Sequence, residues 1–197
     1  RQKETITIVE KEGVRLNKLI NDVLDLSRYE KNKEKLNLSK TNLFKLTESC
    51  IYPHLTEQKQ IKIINAIPKN AEIVVDSDKF KQVIINLITN AVKYTDHGSI
   101  TIVAKRNKKD VIISIKDTGS GIKEDAIPYI FDKFYQVEHH MVRKTGGVGL
   151  GLAIVKNICD LHGAKIEVES KVGIGTAFII TLPRLEQQLA KQNGPIA

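Results

Sequence analysis

Cysteine is nearly absent. Cys50 and Cys159 are the two in 197 residues, far apart and without metal-type spacing, so neither a metal cluster nor a disulfide framework is built from them. Both fall in apolar helical patterns, which predicts buried free thiols in a reducing compartment. Aromatic residues are scarce at 5% and never alternate with basic ones. The formal charge of +8 is therefore read as scattered surface lysines plus a phosphate ligand, with no nucleic-acid partner. No run reaches the ~18 apolar residues of a membrane span, and no signal-peptide pattern opens the chain. It starts at Arg1 and not at methionine, so it reads as a fragment of a longer protein, with any membrane anchor upstream. Two phosphate-binding loops are missing as well. There is no G-x-x-x-x-G-K-[ST], and no G-x-G-x-x-G follows a strand. The set of protein-kinase signatures is also absent.

What is present begins with a hydrophobic content of 41%, enough for a real core. Residues 4–30 read as one long helix. Ile6, Val9, Gly13, Leu16, Ile20, Val23 and Ser27 form a heptad-like seam, widened by Leu19, Leu24 and Leu26. So wide a stripe needs partners, in cis or by dimerisation. The charged "RYEKNKEKLNLSK" places a boundary near residue 35. A helix is predicted over 42–58, strands at "IKIINAIP" and "EIVVD", and an amphipathic helix over 77–94. Strands "SITIVAKR" and "DVIISIKD" follow, joined by "NKK", then a short helix over 123–130. Residues 131–147 are polar and long for a connection, as a mobile lid would be. A helix over 149–162 ends at Gly163, and strands "KIEVES" and "TAFIITL" close the domain. The tail from Arg184 is polar. Helices in one layer and a mostly antiparallel sheet in the other make an α+β sandwich.

The chemistry concentrates in a few stretches. "KTGGVGLGLAIVK", Lys144 to Lys156, packs four glycines into six residues directly before a helix. Bare backbone at a helix N-terminus suits a phosphate, because free N–H groups and the helix dipole both favour negative charge. Alone, the pattern is equally a structural turn. In "NLITNAVKYT", Asn86, Asn90 and Lys93 stand at i, i+4 and i+7 on one helical face. An amide oxygen is a hard ligand suited to Mg²⁺, and a lysine is a point charge for phosphate. "DTGSGI" ends a strand. Its Asp117 can accept from an exocyclic amine such as that of adenine, with Gly119 and Gly121 letting backbone approach a flat ring; a plain tight turn is the competing reading. "IFDKFYQVE" puts Phe131 and Phe134 at the near end of the lid, and "GIGTAF" sets Gly175 and Thr176 at a strand start.

The order "NLITNAVKYT", "DTGSGI", "IFDKFYQ", "GGVGLGL", "GTAF" resembles the N, G1, F, G2 and G3 boxes of sensor histidine kinases, of the ATPase superfamily that includes gyrase and the mismatch-repair ATPases. The resemblance covers about residues 36–183. Upstream, "VRLNKLINDVLDLSRYE" resembles the second helix of the dimerisation and phosphotransfer hairpin. The implied domains are a partial hairpin helix at 1–35, a Bergerat-type catalytic domain at 36–183 and a tail at 184–197. By the same resemblance Asn90 is the Mg²⁺ ligand, Asn86 contacts phosphate or metal beside it, Lys93 reaches the phosphates and Tyr94 lines the pocket. Asp117 recognises adenine between Gly119 and Gly121, and Thr176 reaches it through water. Phe134 belongs to the nucleotide site, and Gly147, Val148, Gly149, Leu150 and Gly151 cradle phosphates. Where some members carry an arginine after the F-box aromatic, this chain has Gln136; Arg143 is the substitute for neutralising the γ-phosphate.

The implied activity is transfer of the ATP γ-phosphoryl group to a histidine and thence to an aspartate of a response-regulator receiver domain, in a homodimer formed through the hairpin helices. Family hydrolases carry a glutamate where this chain has Asn86, which cannot act as a general base. None of His54, His97, His139, His140 and His162 sits in the H-box context of an acceptor, so the phosphorylated histidine lies outside this chain. Two other classes are weighed against the kinase: a hydrolysing ATPase of the same superfamily, and a nucleotide-gated interaction module without catalysis.

Overall fold

The chain was analysed as a computed structural model that describes residues 12–13, 16–17, 19–27, 35–52, 59–136 and 148–184. Alternating apolar residues build its sheet. In β5 (Asp110–Asp117), Val111, Ile113 and Ile115 are buried while Ser114 and Lys116 turn the other way. In β7 (Gly175–Pro183), Phe178, Ile180 and Leu182 repeat the pattern. Period-2 alternation of this kind marks a sheet with one face on the core. With β2 (Gln60–Asn65), β4 (His97–Arg106) and β6 (Lys165–Lys171) these strands form a five-stranded sheet in the order β2-β4-β5-β7-β6. The β2–β4 pair is parallel and the other three are antiparallel. Strands β1 (Ser39–Asn42) and β3 (Glu72–Val75) form a separate antiparallel pair.

Two amphipathic helices cover the buried face. In α3 (Ser77–Tyr94), Phe80, Val83, Ile84, Leu87, Ile88 and Ala91 recur at helical spacing and are buried. In α4 (Gly151–Leu161), Ala153, Ile154, Val155, Ile158 and Cys159 do the same. Asp76 caps α3: its Oδ1 accepts from the Lys79 N–H at 3.2 Å and its Oδ2 from the Asn37 N–H at 3.0 Å. Gly163, at φ +64°, follows the end of α4, as the helix C-terminus asks. The result is the mixed α+β architecture that the sequence predicts.

Three elements differ from expectation. β1 falls at the end of the charged stretch that marks the boundary; its polar residues are held by pairing with β3, a partner distant in sequence. The helix predicted over 42–58 is α2 (Leu43–Glu48), and residues 49–52 leave the helix. Pro53 bars a continuous helix here, because it has no N–H for the Ser49 carbonyl and its ring would clash with that carbonyl in a helix. Residues 53–58 lie outside the described part. The helix predicted over 123–130 is a 3-10 helix, Glu124–Tyr129, with Pro128 inside it.

The N-terminal helix, α1, is helical at every described residue from 12 to 27. Leu26 is buried in the core, and Gln82 Nε2 of α3 donates to Asp25 Oδ2 at 3.2 Å. Leu16, Ile20, Val23 and Leu24 remain exposed. A Cβ on Gly13 would meet nothing within 4 Å among the described residues, so no close helix packing with them explains that glycine. Among the described residues no helix is long and apolar enough to cross a membrane.

Candidate functional site

The polar face of α3 is the first wall. Asn86, Asn90 and Lys93 line a cleft of about 240 Å³ from successive turns of one helix, with Tyr94 beside them. Asn86 is only 8% exposed, an amide kept among apolar neighbours. A Cβ on Gly151 would lie 3.6 Å from its Oδ1, so this amide oxygen faces the start of α4. Lys93 Nζ stands 5.0 Å from the centre of the Tyr94 ring, within cation–π range.

The start of α4 is the second wall. Val148, Gly149, Leu150 and Gly151 line the cleft. The N-cap position is Leu150, which has no side-chain oxygen to offer, and among the described residues no side chain caps the first-turn N–H groups. Gly149 has φ +79°, and a Cβ there would sit 2.7 Å from Phe134 C and Tyr135 O. Its lack of a side chain thus lets α4 begin against the chain leaving the 3-10 helix. The Phe134 N–H donates to Gly149 O at 3.0 Å and fixes that contact.

Asp117 forms the floor. It is buried at the end of β5, and its Oδ1 accepts from the Gly119 N–H at 2.8 Å and the Thr176 N–H at 3.2 Å. Burial raises its pKa above the ordinary carboxylate value, and the two N–H bonds oppose that shift without cancelling it. Thr176 Oγ1 is 2.9 Å from Ser170 Oγ, which ties β7 to β6 beneath the cleft. The loop after Asp117 is crowded by the protein itself. A side chain on Gly119 would overlap the Tyr94 carbonyl, and one on Gly121, at φ +69°, the Lys171 carbonyl.

Residues 75–186 match the family model described as histidine kinase-, DNA gyrase B-, and HSP90-like ATPase. The chain belongs to that family. The sensor protein SrrB of Staphylococcus aureus (strain MRSA252) is 36% identical over 187 residues, covering 93% of this chain and 32% of SrrB. The structure of full-length ShkA in complex with AMPPNP matches with a TM-score of 0.80 and 29% identity, over 93% of this chain and 39% of that one. The catalytic domain of the histidine kinase ThkA, nucleotide-free, matches with a TM-score of 0.67 and 28% identity, over 77% of this chain and 99% of that domain. The chain spans 36% of the length of one curated relative and 22% of another. It carries an ATPase domain of this family, similar to the catalytic domains of histidine kinases.

Within this ATPase domain, the residues predicted from the sequence gather unevenly. Asn86, Asn90, Lys93, Tyr94, Asp117, Gly121, Thr176 and residues 148–151 share the one cleft. Gly119 packs behind it, against Tyr94 and Thr95. Phe134 lies outside the cleft walls, with a positive φ of 63°, and the residue is 62% exposed. Its neighbour Tyr135 lines the cleft, its ring tilted against Tyr129 with centres 5.8 Å apart, and Gln136 lies beside it. Phe131 packs edge-on against Phe178, ring centres 6.4 Å apart. Arg143 and Gly147 lie outside the described residues. Sequence reading missed Leu19 and Asp22, which α1 contributes to the cleft. Their signal was weak: they flank the apolar seam, and only the docked helix shows which way they turn. Of the histidines, His162 is buried with both ring nitrogens bonded, His97 opens β4 at the surface, and His54, His139 and His140 lie outside the described part.

Proposed function

We propose that this chain is the catalytic part of a sensor histidine kinase that binds Mg·ATP in the α3–α4 cleft and passes the γ-phosphoryl group to a histidine outside the chain. A response-regulator aspartate receives it next. The observation that carries the reading is the meeting of three different recognition chemistries in one cleft: amides and a lysine on α3, an uncapped helix start on α4, and a buried carboxylate at the end of β5.

Each part has a task that its chemistry can perform. The uncapped N–H groups of α4 take phosphate oxygens, with Lys93 adding positive charge. Both recorded bonds to Asp117 fall on Oδ1, which leaves Oδ2 to accept from the adenine amine. Tyr94 and Tyr135 wall the nucleotide. The amide oxygens of Asn86 and Asn90, one turn apart and turned to the same cleft, fit a hard divalent cation. Mg²⁺ held there supplies charge neutralisation to the phosphates. Arg143 is the further cation for the γ-phosphate. Phosphoryl transfer asks mainly for such positioning and neutralisation. Asn86 offers no general base for water, which favours transfer over hydrolysis. The acceptor histidine, dimerisation through the exposed seam of α1, and a cytoplasmic location for the domain belong to the same proposal.

Calorimetric titration with ADP and a non-hydrolysable ATP analogue, with and without Mg²⁺ and with GTP as control, tests it. Adenine-selective, Mg²⁺-dependent binding supports the reading. No binding to any nucleotide overturns it.

A further inference from the structure

The last turn of α3 ends without a glycine: Thr95 takes an extended conformation, and the helix has no left-handed cap. Its terminal carbonyls still need donors. Lys59, directly before β2, supplies them. Its Nζ lies 2.7 Å from Val92 O, 3.1 Å from Lys93 O and 2.8 Å from Thr95 O. It also stands 3.2 Å from Asp96 Oδ1, but that carboxylate is 87% exposed, and a pair so solvated contributes little. The three carbonyl contacts, made by a partly buried lysine at the negative end of a helix, are the substantial interaction.

The turn held by Lys59 is the one that carries Lys93 and Tyr94 into the cleft. It also supports the loop after Asp117. The Ser120 N–H donates to the Tyr94 carbonyl at 3.0 Å, and Gly119 packs on the same carbonyl and on Thr95. The buried Thr95 hydroxyl meets Gly119 by packing, with no hydrogen bond among the described residues. One ammonium group outside the cleft therefore braces the backbone shared by the lysine side and the carboxylate side of the site.

We propose that Lys59 is a positioning residue for the nucleotide site, fixing the end of α3 so that Lys93, Tyr94 and the Asp117–Gly121 loop keep their relative places. This rests on the nucleotide reading of the cleft. Lys59 touches no substrate in this scheme; it acts through backbone carbonyls.

The test compares the wild-type chain with Lys59→Met and Lys59→Arg in two measurements. Amide hydrogen exchange is read without nucleotide, and ADP affinity is read by calorimetry with Mg²⁺. In Lys59→Met, Ser120 exchange is expected to speed up about tenfold and ADP affinity to fall about tenfold, while amides of β5 and β7 keep their protection. Lys59→Arg, which retains a cation, should recover part of both. Unchanged Ser120 exchange and unchanged affinity in Lys59→Met overturn the proposal. So does a loss of protection spread evenly over β5 and β7, which would make Lys59 a contributor to global stability only. If the wild-type chain binds no adenine nucleotide, the cleft reading falls and the affinity half falls with it; Ser120 exchange still decides whether Lys59 braces the loop.

Discussion

The backbone N–H of Asp76 donates to Nε2 of His162 at 3.0 Å, joining the cap of α3 to the end of α4. The other ring nitrogen, Nδ1, lies 2.8 Å from the Ile158 carbonyl, so the ring is the neutral tautomer with its proton on Nδ1. Phe80 meets the ring edge-on at 5.9 Å. Burial lowers the His162 pKa below its ordinary value, with Lys79 acting in the same direction; the Ile158 carbonyl and Asp76 oppose them without prevailing.

That arrangement sets a pH dependence of stability. In the unfolded chain the imidazole takes up a proton as pH falls through about 6.5, whereas the folded one resists until lower pH. The unfolded state then binds more protons, so stability is lost from about pH 6.5 downward, at up to about 1.4 kcal/mol per pH unit for one proton. The Asp76 carboxyl, whose burial is outweighed by two backbone N–H bonds together with the charges of Lys79 and His162, is held below its ordinary value and acts at more acid pH. Thermal melting between pH 7.5 and 5.5 should show the decline, and His162→Gln should flatten it. Equal slopes in both proteins would assign the effect to other groups.

Asp117→Asn tests the floor of the cleft. An asparagine can keep its oxygen toward the Gly119 and Thr176 N–H groups, but its second atom becomes a donor where an adenine amine needs an acceptor. The folded domain should survive with an unshifted or higher melting temperature, since a buried charge is removed. Affinity for ATP should fall about ten- to a hundredfold, in keeping with about 1.5–3 kcal/mol for a hydrogen bond to a charged group. Retained affinity in calorimetry would take adenine recognition away from Asp117.

Gly149→Ala asks whether the start of α4 tolerates a side chain. The added Cβ would press on the backbone of Phe134 and Tyr135 at a φ that L-residues avoid. The expected cost is about 1–3 kcal/mol, read as a lower midpoint in urea. Nucleotide affinity should fall as well, because the uncapped N–H groups shift with the helix start. Gly163→Ala is the control: it has a similar φ of +64° but open space around it, so it should cost stability without touching affinity.

Cys159 should be inert in the native state. Burial first, and Asp160 second, raise its thiol pKa to about 12, so almost no thiolate exists at neutral pH. Cys50 is also buried, with its pKa raised for the same leading reason. Modification by a thiol reagent should appear only as the chain unfolds. Rapid labelling of either cysteine in the folded protein would contradict the burial described.

The legible parts of the fold were those whose signal is local. Phe80 to Val92 declare α3 by spacing alone, and Val111 to Ile115 declare a sheet face by alternation. The cleft was legible to the extent that its chemistry lies in short stretches, as with Asn86 to Tyr94. What escaped depends on contacts far apart in sequence. Ser39–Asn42 is a strand through its pairing with Glu72–Val75. Lys59 looks like one more surface lysine until the end of α3 comes within reach. Leu19 and Asp22 read as flanks of a seam until α1 docks. Which aromatic of the stretch lines the cleft was not legible either: Tyr135 does, while Phe134, at a positive φ, stands exposed.

Since α1 supplies Leu19 and Asp22 to the wall of the cleft, the position of that helix and the occupancy of the cleft enter one thermodynamic cycle. Any tilt or slide of α1 that alters ligand affinity by some factor must itself be favoured or opposed by ligand through the same factor. A force applied at the far end of the helix and a molecule arriving in the cleft are then two handles on a single equilibrium.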